Sequence, residues 1–477
     1  MSSSGLQRIL GFKETLALVI GSVIGSGIFM KPSIMAAQLQ SPWILISVWL
    51  VAGIITMCGA LSNAEAACMY PETGGQYVFF EKMYGKAFSY IYGWASFSVF
   101  NTAGNASIAY VCSQYLNFLI KFPELEPALI QQYKIHIPAI GNIILLEHFY
   151  LKLLTILVLI IISWINIRST KESVRIQNIL SAFKIIAILI IVLGAFISRS
   201  GELSHFSESS ILSKFHLTTF MMALTGAFWA FDGWNNLSFV GGEIKDPQKN
   251  IPRSLILGIA ICTITYILVN VAFIYLLGIK NMSSSEFIAT DASIKIFGGA
   301  GAIIITLIIV LSTLGTVNSN VLSTARVTLA LGTNNRIFSG ANKIHPRFRT
   351  PYTAINYNLV WSILLILSGS FDMLTDMLIF ITWFFYGMSA LGVIILRYRL
   401  PEVVRTYKVW LYPLPNIIFI LFSFSYLVIT LYNDISNYMN GQSEIIQSVF
   451  GLSICILGLP LYYIGRSNCF LKKNNTP

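Results

Sequence analysis

Two short runs hold the residues whose types and spacing could do chemistry. The first is Gly21-Ser22-Val23-Ile24-Gly25-Ser26-Gly27-Ile28-Phe29, with three glycines and two serines in nine residues. The second is Thr225-Gly226-Ala227-Phe228-Trp229-Ala230-Phe231-Asp232-Gly233-Trp234-Asn235-Asn236, which places an acid, a glycine and two asparagines inside an apolar stretch. Neither is a catalytic constellation: the chain has no HExxH, no GxSxG and no histidine inside an apolar segment. Glycine costs a helix about 1 kcal/mol relative to alanine. In hydrocarbon, freed main-chain N–H and C=O groups are tolerated only where they line a cavity or are buried in protein. The chemistry these runs offer is therefore recognition by backbone dipoles rather than bond making. The alternative for the first run is close helix packing through its Gly21/Gly25 GxxxG pair.

The elements that must position these runs are membrane helices. The chain has 477 residues, 55% of them hydrophobic and 11% charged, with a mean hydropathy of +0.72; soluble domains carry about 25% charged residues. Apolar stretches near the spanning length of about 20 residues occur at 14–35, 43–66, 87–119, 150–167, 179–198, 219–242, 254–279, 298–325, 354–369, 375–397, 413–432 and 446–465. The pattern predicts an all-α polytopic membrane protein of twelve spans, with both termini on one side. The segments on the side of the termini carry most of the 31 Lys and Arg, so the positive-inside rule makes that side cytoplasmic. Net charge of +11 follows from the same asymmetry; no basic tract reads as a nucleic-acid arm. The six cysteines (Cys58, Cys68, Cys112, Cys262, Cys455, Cys469) have no CxxC spacing, so no zinc site, disulfide framework or metal centre is indicated. No cofactor is expected. The short polar N-terminus has no signal-peptide cleavage pattern, and no loop is long enough for a soluble domain. Residues 1–477 are read as a single domain.

Polar interruptions in the first and sixth spans, five spans apart, mark an inverted repeat of five-span halves. The halves are 1–198 and 219–397, with two additional helices over 413–465. The outer half of span one starts at its break, so amides near Ser26, Gly27 and Ile28 face the cavity at a partly positive helix end that suits a carboxylate. The outer half of span six ends at its break, so carbonyls near Trp229, Ala230 and Phe231 suit an ammonium. The substrate-binding candidates are Ile24, Gly25, Ser26, Gly27, Ile28, Trp229, Ala230, Phe231 and Asp232. Together they fit an α-amino acid without any side-chain charge.

The same residues carry a resemblance. Gly25-Ser26-Gly27-Ile28-Phe29 resembles the GSGIF signature of the amino acid–polyamine–organocation (APC) superfamily. Phe231-Asp232-Gly233-Trp234-Asn235 is similar to the L-type amino acid transporter branch, as are Gly242-Glu243-Ile244-Lys245-Asp246-Pro247, Asn250-Ile251-Pro252, Ala64-Glu65, Pro71 and Gly74-Gly75-Gln76-Tyr77. The resemblance implies a LeuT-like fold of ten core spans in a 5+5 repeat plus two more, and sodium-independent transport of zwitterionic amino acids by alternating access, as an exchanger. Eukaryotic members of this branch bond a heavy subunit through a cysteine between spans three and four. Residues 120–149 contain none, so no disulfide-linked heavy subunit is expected and the chain reads as a stand-alone, prokaryotic-type carrier in the cell membrane.

Five further groups of residues are candidates, most with more than one reading. Lys184, one turn into span five, is a functional candidate as an ionisable residue in a span, or a lysine snorkelling to the interface. In the family a lysine here replaces a sodium site and bonds the unwound carbonyls of span one. Trp229 is a gate over the substrate or a packing residue. Asp232 is a substrate contact, a titrating site or a helix-break acid that accepts freed amides. Asn101, Asn105, Ser312 and Ser319 line the cavity or bond helices together. Glu65 and Glu243 are read as inner-gate groups. Within transport the rival activities are cationic amino acid or polyamine antiport and proton-coupled symport. Outside transport the rivals are a membrane enzyme, for which no catalytic cluster exists, and an amino acid sensor.

Overall fold

The computed structural model describes residue 8 and residues 10–464, except 73, 169, 208–215 and 335–337, with backbone only at 170–179, 181, 182 and 334. The basic C-terminal segment used for orientation, and Cys469, lie outside the described residues.

Helix α1 (Phe12–Val23) and helix α2 (Gly27–Leu39) are separated by Ile24–Ser26 and bend by 42°. The break falls within the glycine-serine run. Helix α3 (Pro42–Met69) starts with proline at its first turn, where the missing N–H costs nothing. Gly74 (φ +123) and Gly75 (φ +51) turn the chain into α4 (Gln76–Tyr84). A β-carbon on Gly75 would fall 2.6 Å from Ser238 Oγ, so glycine lets α4 approach the second break. Gly85 (φ +92) separates α4 from α5 (Lys86–Ala95). A π-turn over Ser96–Phe100 then leads into α6 (Asn101–Ile120). Asn101 Nδ2 donates to Ser96 Oγ at 2.6 Å and Thr102 Oγ1 to the Phe97 carbonyl at 2.7 Å, which stabilise that wider turn.

After α6, over 120–149, the hydropathy pattern predicts only a connection. It holds α7 (Pro127–Gln132) and an antiparallel hairpin of β1 (Lys134–Ile137) and β2 (Gly141–Ile144), in the register Lys134↔Ile144 to Ile137↔Gly141. The chain continues through α8 (Phe149–Arg168), α9 (Thr170–Ser198), α10 (Leu217–Phe231), α11 (Asn236–Phe239), α12 (Pro247–Ser284), α13 (Ile288–Asn334), α14 (Tyr352–Ser368), α15 (Phe371–Arg399), α16 (Leu414–Met439) and α17 (Gln447–Ile456). Each of α12 and α13 is two helices that meet at a kink, where Gly278 (φ +71) and Gly298 (φ +70) leave helical geometry. The end of the bundle where α1 begins is here called the α1 face, and the opposite end the hairpin face.

Seven described helices are long and apolar enough to cross a membrane, and the bent α1/α2 pair makes an eighth. The chain is a multi-pass membrane protein. Leu153, Leu157, Ile160, Ile161 and Trp164 of α8 are exposed, an apolar stripe suited to lipid. Inside, α2 packs on α10 and α12, α13 on α9 and α6, and α15 on α16, α3 and α6. The two breaks therefore meet at the centre of the bundle.

Candidate substrate-binding cavity

At the first break the chain leaves helical geometry at Ile24 (ψ 99) and re-enters it through Ser26. The first amides of α2, at Gly27 and Ile28, have no intrahelical acceptor, so partial positive charge points into the centre. The carbonyls released by unwinding have partners. Lys184 Nζ of α9 donates to Gly21 O at 2.8 Å and Ile24 O at 2.9 Å. Tyr266 of α12 reaches Val23 O at 2.8 Å.

At the second break α10 ends at Phe231, Asp232 is extended (ψ 151), and Gly233 (φ +102) reverses the chain before α11. The same Tyr266 hydroxyl lies 2.6 Å from Ala230 O, so its single proton is shared between the two breaks. Tyr386 of α15 donates to Asp232 Oδ1 at 2.8 Å. Glycine is required where the breaks touch. A β-carbon on Gly27 would come within 2.7 Å of Ala230 Cα, and one on Gly233 within 2.7 Å of Ser22 O.

Between the breaks lies a cavity of ≈ 110 Å³. From the backbone outward it is lined by Gly25, Ser26 and Gly27 of the first break and by Trp229, Ala230 and Asp232 of the second. Asn101 and Ser319 also line it. Gly21, Ser22, Gly233 and Asn236 extend it toward the α1 face. On the hairpin face it is closed by Trp229, whose ring stands edge-on to Phe371 at 5.2 Å. Lys31 lies over the Phe371 ring at 4.8 Å and is paired to Asp372 at 2.8 Å.

The remaining candidates fall elsewhere, for reasons that the packing makes plain. Ile24, Ile28 and Phe231 are buried outside the cavity lining; Phe231 packs edge-on against Tyr266 at 5.0 Å. Asn105 is not at the cavity, because it exchanges bonds with Thr324 and Asn320 on α13. Ser312 is buried on the same helix, away from the lining. Lys184 stands behind the break rather than in the cavity. Glu65 is fully buried and clamps α3 to the end of α15: Arg397 donates to its two oxygens at 2.8 and 2.5 Å, the Val409 amide donates at 2.9 Å, and Arg405 lies 3.3 Å away. Glu243 contributes its backbone, accepting from the Leu10 amide at 3.0 Å. Its side chain makes no ion pair among the described residues.

Thr316, on the same polar face of its helix as Ser319, also lines the cavity, as do Gln76, Tyr92 and Tyr386, which the sequence alone does not single out as site residues. Gln76 Oε1 accepts from Tyr92 at 3.1 Å and from Asn235 Nδ2 at 3.2 Å, while its Nε2 has no partner among the described residues. The Gly-Gly-Gln-Tyr run is the signal that could have found it; Tyr386 stands among 22 tyrosines with nothing to mark it. Among the described residues no cluster of His, Cys, Asp or Glu could hold a metal ion.

A polar cavity framed by two facing helix breaks inside a membrane bundle belongs to a carrier of small solutes. Sequence comparison gives the family: residues 10–457 match the amino acid permease family, and the chain belongs to it. It is a transporter, not an enzyme. The chain is 30% identical over 465 residues to the serine/threonine exchanger SteT of Bacillus subtilis (strain 168), covering 96% of this chain and 97% of that one. It is 29% identical to the large neutral amino acids transporter small subunit 2 of Homo sapiens, covering 98% and 82%. The human cystine/glutamate transporter matches at 28% identity, covering 96% and 85%. These matches bear out the resemblance to the APC superfamily and its L-type branch.

Proposed function

We propose that the protein exchanges zwitterionic amino acids across the cell membrane by alternating access, without sodium. The observation that carries this reading is the pair of facing breaks. Free amides of α2 suit a carboxylate, the carbonyl end of α10 suits an ammonium, and the two helices touch at Gly27 and Ala230. The exchanger relatives support counter-transport. Sodium independence rests on Lys184, whose ammonium already occupies the carbonyls of Gly21 and Ile24 that a cation would otherwise seek.

In this reading the helices form twelve spans in a LeuT-like arrangement, with inverted repeats over 1–198 and 219–397 and two more helices over 413–465. The α1 face is cytoplasmic, as the charge asymmetry indicates, and the cavity is caught facing inward. The carrier works without a disulfide-linked heavy subunit. The test is uptake of a labelled amino acid panel into proteoliposomes, with and without internal amino acid. Uptake of neutral amino acids that rises with internal substrate and persists when choline replaces sodium is the expected result. Uptake that depends on sodium, or is indifferent to internal amino acid, overturns the corresponding part.

A further inference from the structure

A second cavity, of ≈ 230 Å³, lies on the hairpin face outside the Trp229 lid, between α2, α10, α15 and α16. A water needs only about 10–15 Å³ of such space, so this one has room for a small organic solute. Its charged lining is Lys31, Asp372, Asp376 and Asp434, with Gln38, Thr225, Thr430 and Asn433 beside them; Gln38 Oε1 is buried and has no partner among the described residues. Three carboxyl groups here face one ammonium, in a bundle where ionisable groups are costly and mark function. The Asp372 side chain is 53% exposed, which puts the mouth at the surface. Asp376 lies one helical turn deeper. Among the described residues its carboxylate receives only a 3.5 Å contact from Thr375.

Two further groups in this cavity have hydrogen-bonding capacity to spare. Asn433 is only 8% exposed, yet neither end of its amide has a partner among the described residues; Nδ2 is buried and unbonded. An ammonium has three donors, and Lys31 spends two of them, on Asp372 at 2.8 Å and Thr375 at 3.1 Å. Asp434 Oδ2 accepts from the Ser448 amide at 3.0 Å, so the site offers the Asp376 carboxylate and the second oxygen of Asp434 and, beside them, unspent N–H donors. Ile34, Met35 and Met222 supply an apolar wall. A simple cation would use the carboxylates and leave the donors unmet. A zwitterion uses both.

We propose that this cavity is a second amino acid site, which holds a substrate's ammonium against Asp376 and Asp434 and its carboxylate against Asn433 and Lys31 before the lid opens. The proposal rests on the amino acid reading of the central cavity and extends it to the hairpin face. The test is equilibrium binding of tritiated L-serine and L-leucine to the purified full chain in nanodiscs. The wild type is expected to bind two molecules per chain. Asp376→Asn and Asn433→Leu each leave one. Gly27→Val, whose side chain would strike Ala230 in the central site, also leaves one, and combining it with Asn433→Leu leaves none. Should Asp376→Asn fail to fold, Asn433→Leu at the end of α16 reads the same quantity. One molecule bound in the wild type, unchanged by Asp376→Asn or Asn433→Leu, overturns the second site and leaves the central one standing. A wild type that binds neither amino acid overturns both.

Discussion

The two helix breaks are held in different ways. At the first, between α1 and α2, the released carbonyls are met by donors from helices outside the broken pair: Lys184 on α9 and Tyr266 on α12. At the second, between α10 and α11, a side chain of the break itself turns outward for support, and Asp232 accepts from Tyr386 on α15. The first break is therefore propped by a fixed positive charge and the second by a neutral hydroxyl. Among the described side chains, the Tyr266 hydroxyl alone is within hydrogen-bond distance of carbonyls at both breaks. A carrier whose breaks must move relative to each other gains from this asymmetry, because the two props belong to different helices and need not release together.

Removing the stronger prop should have the largest effect. Lys184→Ala leaves two buried carbonyls unmet, and an unsatisfied buried group costs about 1–3 kcal/mol. We expect exchange to fall by about tenfold or more at equal membrane abundance. Exchange at the wild-type level would mean that the lysine merely occupies space. Next comes the lid. A cation–π contact is worth about 0.5–2 kcal/mol, so Trp229→Ala should weaken apparent affinity by about 2- to 30-fold, while Trp229→Phe keeps much of the activity. Unchanged concentration dependence in the alanine variant would remove Trp229 from the gate.

A smaller change is expected on the α1 side of the second break. Gln76→Leu deletes a donor that has no partner among the described residues. A single neutral hydrogen bond is worth about 0.5–1.5 kcal/mol. Apparent affinity for threonine should therefore fall a few-fold while that for valine, of similar shape, holds. Equal shifts for both would make Gln76 a packing residue. The smallest effect sharpens the comparison from the other direction. Replacing sodium by choline should leave uptake unaltered, since Lys184 already serves the first break; a large loss would assign those carbonyls to a cation.

Both breaks are legible in the sequence because glycine and polar residues interrupt two apolar helices five spans apart, a pairing that helix packing through small residues does not require. Lys184 is legible as an ionisable residue in a span. What lies hidden depends on which helix faces which. Asn105 and Asn101 share a face of α6 by spacing alone. One turn of offset sends Asn105 to Thr324 and Asn320 on α13 and leaves Asn101 at the cavity. Glu65 stands out as an acid in a span, but its partners Arg397 and Arg405 are more than 300 residues away in the chain, beyond any local pattern. The hairpin β1–β2 is short and polar enough to read as a loop, and its pairing is completed by residues near 445.

That last contact has a practical consequence. The Asn142 amide donates to Glu444 O at 2.6 Å, the Ile446 amide to Ile140 O at 2.7 Å, and Lys134 pairs with the Glu444 carboxylate at 2.8 Å. Hydrogen bonds from Lys134 and Asn142 hold that carboxyl below its usual range. The hairpin thus rivets the connection between α6 and α8 to the connection between α16 and α17. For distance spectroscopy this corner is a benchmark: nitroxides at Tyr133 and Gln442 report the zero of the scale, against which labels on α2 and α10 measure any movement of those helices.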